Sequence, residues 1–262
     1  MLTTSIVLIG TGMLAGILAG LLGVGGGLIM VPILSYLYAS ELGGVAATMP
    51  YALGTSLATI VFTASVAAYT HHKHGAVTWN IVGALSPGLV IGTLFAAIVA
   101  SRVPGEALRI FFGIFVIAAA WQMWSNKRPP ASRTLPAWRG YSAAGTFIGV
   151  ISGLVGIGGG TLTVPYLIWH GLAAQRAVAI SSACGISIAL AGMLGYAWSG
   201  PAHASTAYTT GYILWPAAGL LAIGSMTMAP AGAILAHRLP AQQLKRVFAI
   251  LLTLIALRML WA

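Results

Sequence analysis

Two short stretches carry the residues best suited to chemistry in this 262-residue sequence. GLLGVGGGLIMVPIL, Gly20 to Leu34, returns as GLVGIGGGTLTVPYL, Gly153 to Leu167. Gly25, Gly26, Gly27 and Pro32 fall in register with Gly158, Gly159, Gly160 and Pro165. Consecutive glycines permit a tight turn and let another backbone approach closely, at an entropic cost that an uninterrupted helix avoids. The proline then sits in the early turns of a restarting helix, where a missing N–H does least harm. Such a helix start exposes unpaired N–H groups equivalent to about half a positive charge, which favours an anion. Hydroxyl pairs follow each copy: Thr55 with Ser56, and Ser181 with Ser182. They can donate to anionic oxygens without the cost of burying a charge. They can equally bond back to their own helix, so both readings stand for these four. Thr161 and Thr163 occur in one copy only, either breaking the symmetry of a site or packing in the core. Thr161 is counted among the candidate binding residues.

Catalysis finds no comparable support. Glu41 and Glu106 are the only carboxylates, both beside segment ends, so neither paired acid/base chemistry nor a buried carboxylate relay is available. HExxH and GxSxG are missing from the sequence, and no catalytic residue, metal site or cofactor is expected. The glycine copies lack GK[ST], do not complete GxGxxG and follow no strand, which excludes phosphate-loop and dinucleotide readings. His71, His72 and His74 cluster in one loop, while His170, His203 and His237 lie near segment ends. All can titrate near neutrality, and all read as interfacial histidines.

The elements that position these residues belong to a membrane protein. Hydrophobic residues make up 59% of the sequence and charged residues 5%, against roughly 25% charged in a soluble domain. That leaves too little polar surface to cover a particle in water. A span needs roughly 20 apolar residues. On that measure helices are predicted near Ser5 to Leu22, Leu28 to Tyr38, Ala46 to Tyr69, Thr78 to Ser101, Ala107 to Trp124, Gly140 to Val155, Thr161 to His170, Ala177 to Ser199, Tyr212 to Ala236 and Val247 to Trp261. The second and seventh are too short to span and follow the glycine clusters, so each reads as half of a broken or re-entrant hairpin. The count is eight or ten transmembrane segments, with the same parity either way.

With that parity one side holds Lys73, Lys127, Arg128, Arg133, Arg139, Arg176, Arg238, Lys245 and Arg246, and the other Arg102, Arg109 and Arg258. The positive-inside rule makes the first side cytoplasmic and places both termini outside, in a plasma or inner membrane. The net charge of +10 therefore reports orientation, and a nucleic-acid partner is not expected.

The duplication extends beyond the glycines. SRVPGEALRIFFGIF from Ser101 matches HRLPAQQLKRVFAIL from His237, and Trp79, Gly83 and Gly88 match Trp215, Gly219 and Gly224. Residues 1–125 form a first repeat, 126–138 a basic linker and 139–262 a second repeat. Each repeat crosses an odd number of times, so the second is inverted. The fold class expected is an all-α polytopic membrane protein of two inverted-topology repeats, the architecture of secondary transporters.

The two GxGGGxxxxP copies, each followed by a hydroxyl-bearing helix in a chain with a basic central linker, resemble the TauE/SafE family of sulfite and organosulfonate exporters. The resemblance covers nearly the whole chain. It implies transport of a small organosulfur anion such as sulfite, sulfoacetate or another sulfonate, with export the leading direction. Residue by residue it reaches Gly25, Gly26, Gly27 and Pro32, then Gly158, Gly159, Gly160 and Pro165. Where the family commonly shows an ATS-like run, this sequence has Gly54-Thr55-Ser56 and Ile180-Ser181-Ser182. The alternatives are an ion-coupled uptake permease and a non-transporting membrane accessory subunit. The expected partners are a small anion and the lipid bilayer, with homo-oligomerisation left open.

Overall fold

A computed structural model describes residues 2–23, 25–125, 138–201, 208–238 and 241–261. The linker Asn126 to Pro136 and His203 lie outside the described residues, as do the side chains of Arg139, His237, Arg238, Lys245 and Arg246. The first repeat holds α1 (Leu2–Leu22), α2 (Gly27–Leu37), the short α3 (Ala39–Leu42), α4 (Val45–Lys73), α5 (Trp79–Ala100) and α6 (Gly105–Ser125). The second holds α7 (Trp138–Val155), α8 (Gly160–Trp169), α9 (Ala174–Ser199), a two-residue strand pair β1 (Thr209–Thr210) and β2 (Ile213–Leu214), α10 (Trp215–Arg238) and α11 (Ala241–Trp261).

Among the described residues six helices are long and apolar enough to cross a membrane: α1, α4, α5, α6, α9 and α10. Shorter apolar stretches lie at Gly27–Leu37, at Gly140–Val155 in α7 and at Phe248–Trp261 in α11. Large apolar side chains such as Phe95, Trp121, Phe147, Leu194, Ile223 and Leu254 are exposed on the outside of the bundle. An apolar periphery around a helical interior is what a multi-pass membrane protein presents to lipid, because every backbone group is satisfied within its own helix.

Three expected boundaries move. The ninth predicted helix, α10 in the structure, begins at Trp215, not Tyr212, because Thr209–Thr210 pairs antiparallel with Ile213–Leu214 around Gly211, whose φ is +55°. Pro216 then falls in the first helical turn, where it is tolerated. The last helix starts at Ala241 and not Val247, since Gln, Lys and Arg are good helix formers without burial. His71 and His72 are not loop residues: α4 continues to Lys73 and stops before Gly75, which takes φ +66°.

The helices pack in pairs that join the two halves: α1 against α10, α5 against α7, α4 against α9 and α6 against α11. The first two contacts are backbone to backbone. A Cβ on Gly12, Gly16 or Gly20 would fall 2.3, 2.3 or 2.2 Å from the carbonyl oxygens of Leu221, Ser225 and Ala229. On Gly145 or Gly149 it would lie 2.5 or 2.4 Å from those of Leu85 and Leu89. Small residues at such spacing replace the hydrophobic drive that lipid removes.

Candidate substrate site

The two glycine turns share the conformation of their first and last glycines, but Gly25 takes φ +80° while its counterpart Gly158 does not take a positive φ. Gly23 and Gly156, which end α1 and α7, have φ of +69° and +71°. Gly26 and Gly159, at the N-caps of α2 and α8, sit at φ 80°, ψ −6° and φ 80°, ψ −7°. An L side chain in that left-handed region costs roughly 1–2 kcal/mol, which explains the glycine at both places. Gly26 and Gly159 have no side chain with which to cap, and the N–H groups of Ile29 and Met30, and of Leu162 and Thr163, bond back to the Gly26 and Gly159 carbonyls. Pro32 and Pro165 occupy the sixth residue of their helices.

The turns also meet. A Cβ on Gly25 would lie 2.9 Å from the nitrogen of Gly158, and one on Gly27 would lie 2.1 Å from the carbonyl oxygen of Gly156. Only glycine lets the two backbones approach this closely. Around this junction α4 and α9 supply matched bonds. Ser56 Oγ donates to the Gly156 carbonyl at 2.9 Å, and Ser181 Oγ donates to the Gly23 carbonyl at 3.3 Å. Fifteen residues further along each helix, His71 Nε2 lies 3.0 Å from the Gly20 carbonyl and Tyr196 OH donates to the Gly153 carbonyl at 2.9 Å. His71 is fully buried.

These bonds set the register of the two helices. Ser56 corresponds to Ser181, so Thr55 stands opposite Ile180 and Ser182 opposite Leu57, one residue out of step with the pairing that the sequence suggests. Thr55 Oγ1 accepts the Leu214 N–H at 3.0 Å, and Ser182 Oγ donates to the Val178 carbonyl at 3.0 Å. All four hydroxyls are therefore engaged inside the protein. The cavity bounded by Gly23, Gly25, Gly158, Ser182 and Gly185 encloses about 10 Å³. That is at most the room of one water molecule. In this conformation the junction is closed to an oxyanion.

A different set of hydroxyls has no partner among the described residues: Tyr141 OH and Ser152 Oγ on α7, Thr161 Oγ1 and Thr163 Oγ1 on α8. All four side chains are buried. Sequence reasoning singled out Thr161 and Thr163 but not Tyr141 or Ser152. The signal was present in the duplication, because with Gly23 aligned to Gly156 these two face Leu8 and Ala19 in the first copy.

Carboxylates stand apart from the junction. Glu106 Oε1 lies 2.5 Å from Arg109 Nη2, Arg109 also donates to the Met259 carbonyl, and Glu41 is exposed on α3. A roomier cavity, about 340 Å³, lies between α2 and α11, lined by Pro32, Ile33, Tyr36, Leu37, Ile255 and Arg258. Its lining is almost wholly apolar, and Arg258 is taken up by the Tyr36 ring, 4.9 Å away.

Residues 8–259 match the family model described as "Sulfite exporter TauE/SafE". The sequence is 34% identical over 252 residues to a "Probable membrane transporter protein" of Haemophilus influenzae, covering 95% of each chain. It is 28% identical over 257 residues to a protein of the same description from Methanocaldococcus jannaschii, covering 97% of this chain and 94% of the relative. A Bacillus subtilis "Probable membrane transporter protein YdhB" is 25% identical over 239 residues, with 88% and 90% covered. No solved structure matches.

Proposed function

The chain belongs to the TauE/SafE sulfite exporter family of membrane transporters, and from that premise we propose that it carries a small organosulfur anion, sulfite or a sulfonate such as sulfoacetate, out of the cell by alternating access. The observation that carries this reading is the junction of the two glycine turns. Two uncapped helix N-termini begin there, and each turn's carbonyls are held back by a side chain of the opposite repeat. N–H groups are thereby left to face a ligand while the competing acceptors are occupied, an arrangement suited to an anion. The closed cavity fits an occluded step of the cycle.

The repeats are related by inverted topology, which the pairs α1 with α10 and α5 with α7 support, since each joins the first long helix of one half to the third long helix of the other. The nine-to-three split of basic residues orients both termini outward and the central linker inward, in an inner or plasma membrane.

Export follows from energetics. An interior-negative potential works on each charge by about 2.3 kcal/mol per 100 mV, so a monovalent anion runs outward downhill through a gated site. Uptake against that field needs co-transported cations, and the chain's two carboxylates are exposed or paired far from the glycine turns. A second reading, proton-coupled uptake, draws on one feature only: the buried imidazole of His71 against the Gly20 carbonyl.

Proteoliposomes of the purified protein loaded with sulfite or sulfoacetate separate these readings. Export predicts efflux accelerated by an imposed interior-negative potential. Accumulation driven by a proton or sodium gradient alone, with efflux indifferent to potential, would establish a symporter. No flux at all would point to an accessory subunit.

A further inference from the structure

We propose that the substrate site is one-sided: the oxyanion is bound at the N-terminus of α8, by Ser152 and Thr163 together with the first N–H groups of that helix, and not by the equivalent turn of the first repeat. This rests on the anion-transporter reading and specifies where and what that site binds.

Three observations converge. Ser152 Oγ and Thr163 Oγ1 lie 3.4 and 3.3 Å from the point that a Cβ on Gly159 would occupy, so both hydroxyls converge beside the N-cap of α8; the end of the Ile188 side chain, 2.4 Å from that point, fills the space and has to swing aside for an anion to enter. Thr161 stands in the first turn of the same helix but two residues before Thr163, on another face. Ser152 and Thr163 are fully buried and Thr161 is 6% exposed, yet none has a hydrogen-bond partner among the described residues. Buried hydroxyls without partners are costly and uncommon.

Elsewhere in this protein the problem is solved locally. Ser35, Thr59, Thr93, Thr146 and Ser182 each donate to the carbonyl four residues back. The three at α8 depart from that habit.

Nor does the fold require them. With Gly23 aligned to Gly156, Ser152, Thr161 and Thr163 correspond to Ala19, Leu28 and Met30, all buried. The α2 turn thus has the same N-cap dihedrals, at Gly26 and Gly159, but an apolar lining. The cavity beside Gly26 is bounded by Leu18, Leu22, Leu28, Met123, Phe248 and Leu252.

The chemistry selects the ligand. From Gly140 to Trp169 there is no charged residue, so the site offers hydroxyls, amide protons and the partial positive charge of one helix end. Such a site suits a singly charged head with three oxygens, hydrogen sulfite or the sulfonate end of a larger molecule, and a second full charge such as the carboxylate of sulfoacetate has to lie outside it. Because the donors belong to α7 and α8, the anion travels with the second repeat.

The test measures stability and binding together in the purified full chain, with sodium methanesulfonate and sodium sulfite as probes. Ser152→Ala and Thr163→Val should each weaken methanesulfonate binding at least about tenfold, the loss of one good hydrogen bond to a charged group. Both should raise the melting temperature without ligand, because an unpaired buried hydroxyl is removed. Leu28→Ala, in the first repeat, should lower stability and leave affinity unchanged. Hydroxyls that merely pack would give unchanged affinity in the Ser152 and Thr163 variants while the wild type still binds and moves methanesulfonate, and that result overturns the one-sided site but spares the transporter reading. Stabilisation given by sodium chloride but not by choline chloride, and lost in Thr163→Val, would make this a cation site and overturn it as well. A wild-type protein that neither binds nor moves either probe would remove the transporter reading and this inference together.

Discussion

Gly27→Ala tests the junction of the two repeats directly. The new Cβ would fall 2.1 Å from the carbonyl oxygen of Gly156, where ordinary contact begins near 3.4 Å. Both partners are backbone, so no side chain can rotate away, and α2 or the Gly156 turn has to shift by more than an ångström. Overpacking of this kind costs about 1–3 kcal/mol. The shift also disturbs the bond from Ser56 Oγ to the same oxygen, 2.9 Å long, with a net value of about 1 kcal/mol. A loss of about 2–4 kcal/mol is expected, a drop of roughly 4–16 °C in the melting temperature of a chain this size. Thermal unfolding in detergent measures it. Gly83→Ala is the control, since a Cβ there meets nothing within 4 Å and the residue lies inside α5. It should be neutral or stabilising by up to about 1 kcal/mol. If Gly27→Ala unfolds with the wild type, the two turns do not pack against each other and the site built on their contact is refuted.

Two further outcomes are expected. Thr55→Val removes the acceptor of the buried Leu214 N–H, so it should destabilise the chain by about 1–3 kcal/mol and speed hydrogen exchange selectively across residues 208–216; exchange as slow as in the wild type would show that Thr55 does not hold this strand pair. With Cys184 replaced by alanine, a cysteine at Ala131 in the linker should resist an impermeant maleimide added to intact cells and react after permeabilisation; labelling of intact cells would reverse the assigned orientation.

Much of the fold was legible because the repeat is written in glycine and proline, whose backbone demands survive when side chains diverge. Gly23 to Gly27 match Gly156 to Gly160 in sequence, and the dihedral angles of Gly23 with Gly156 and of Gly26 with Gly159 agree to within 2°, while Gly25 and Gly158 differ. The register of α4 with α9 was not legible. No glycine or proline pattern ties YALGTSLATI to VAISSACGI, and the true match of Ser56 with Ser181 is defined by carbonyls of the opposite repeat. Contacts between halves leave no local trace in either. The strand pair before α10 was hidden for a related reason: Tyr212, Ile213 and Leu214 prolong an apolar run, and what withdraws them from the helix is a bond to Thr55, far away in the chain. Ser152 escaped notice because a lone serine in an apolar helix usually bonds to its own backbone. Its unpaired state emerges only once every neighbour is placed.

The contact of α1 with α10 has a consequence for how the protein is made. The surface of α1 formed by Gly12, Gly16 and Gly20 fits only the carbonyl ridge of Leu221, Ser225 and Ala229, about two hundred residues later in translation. At a synthesis rate of about 5–20 residues per second, α1 waits in the bilayer for roughly 10–40 s before that ridge exists. During the wait its glycine groove lies open to lipid or to any other helix that can approach as closely. By contrast, α5 meets α7 soon after the linker is made. The nascent chain therefore closes from its middle outward, and a ribosome that stops before α10 leaves the first helix it inserted without the surface it was shaped to meet.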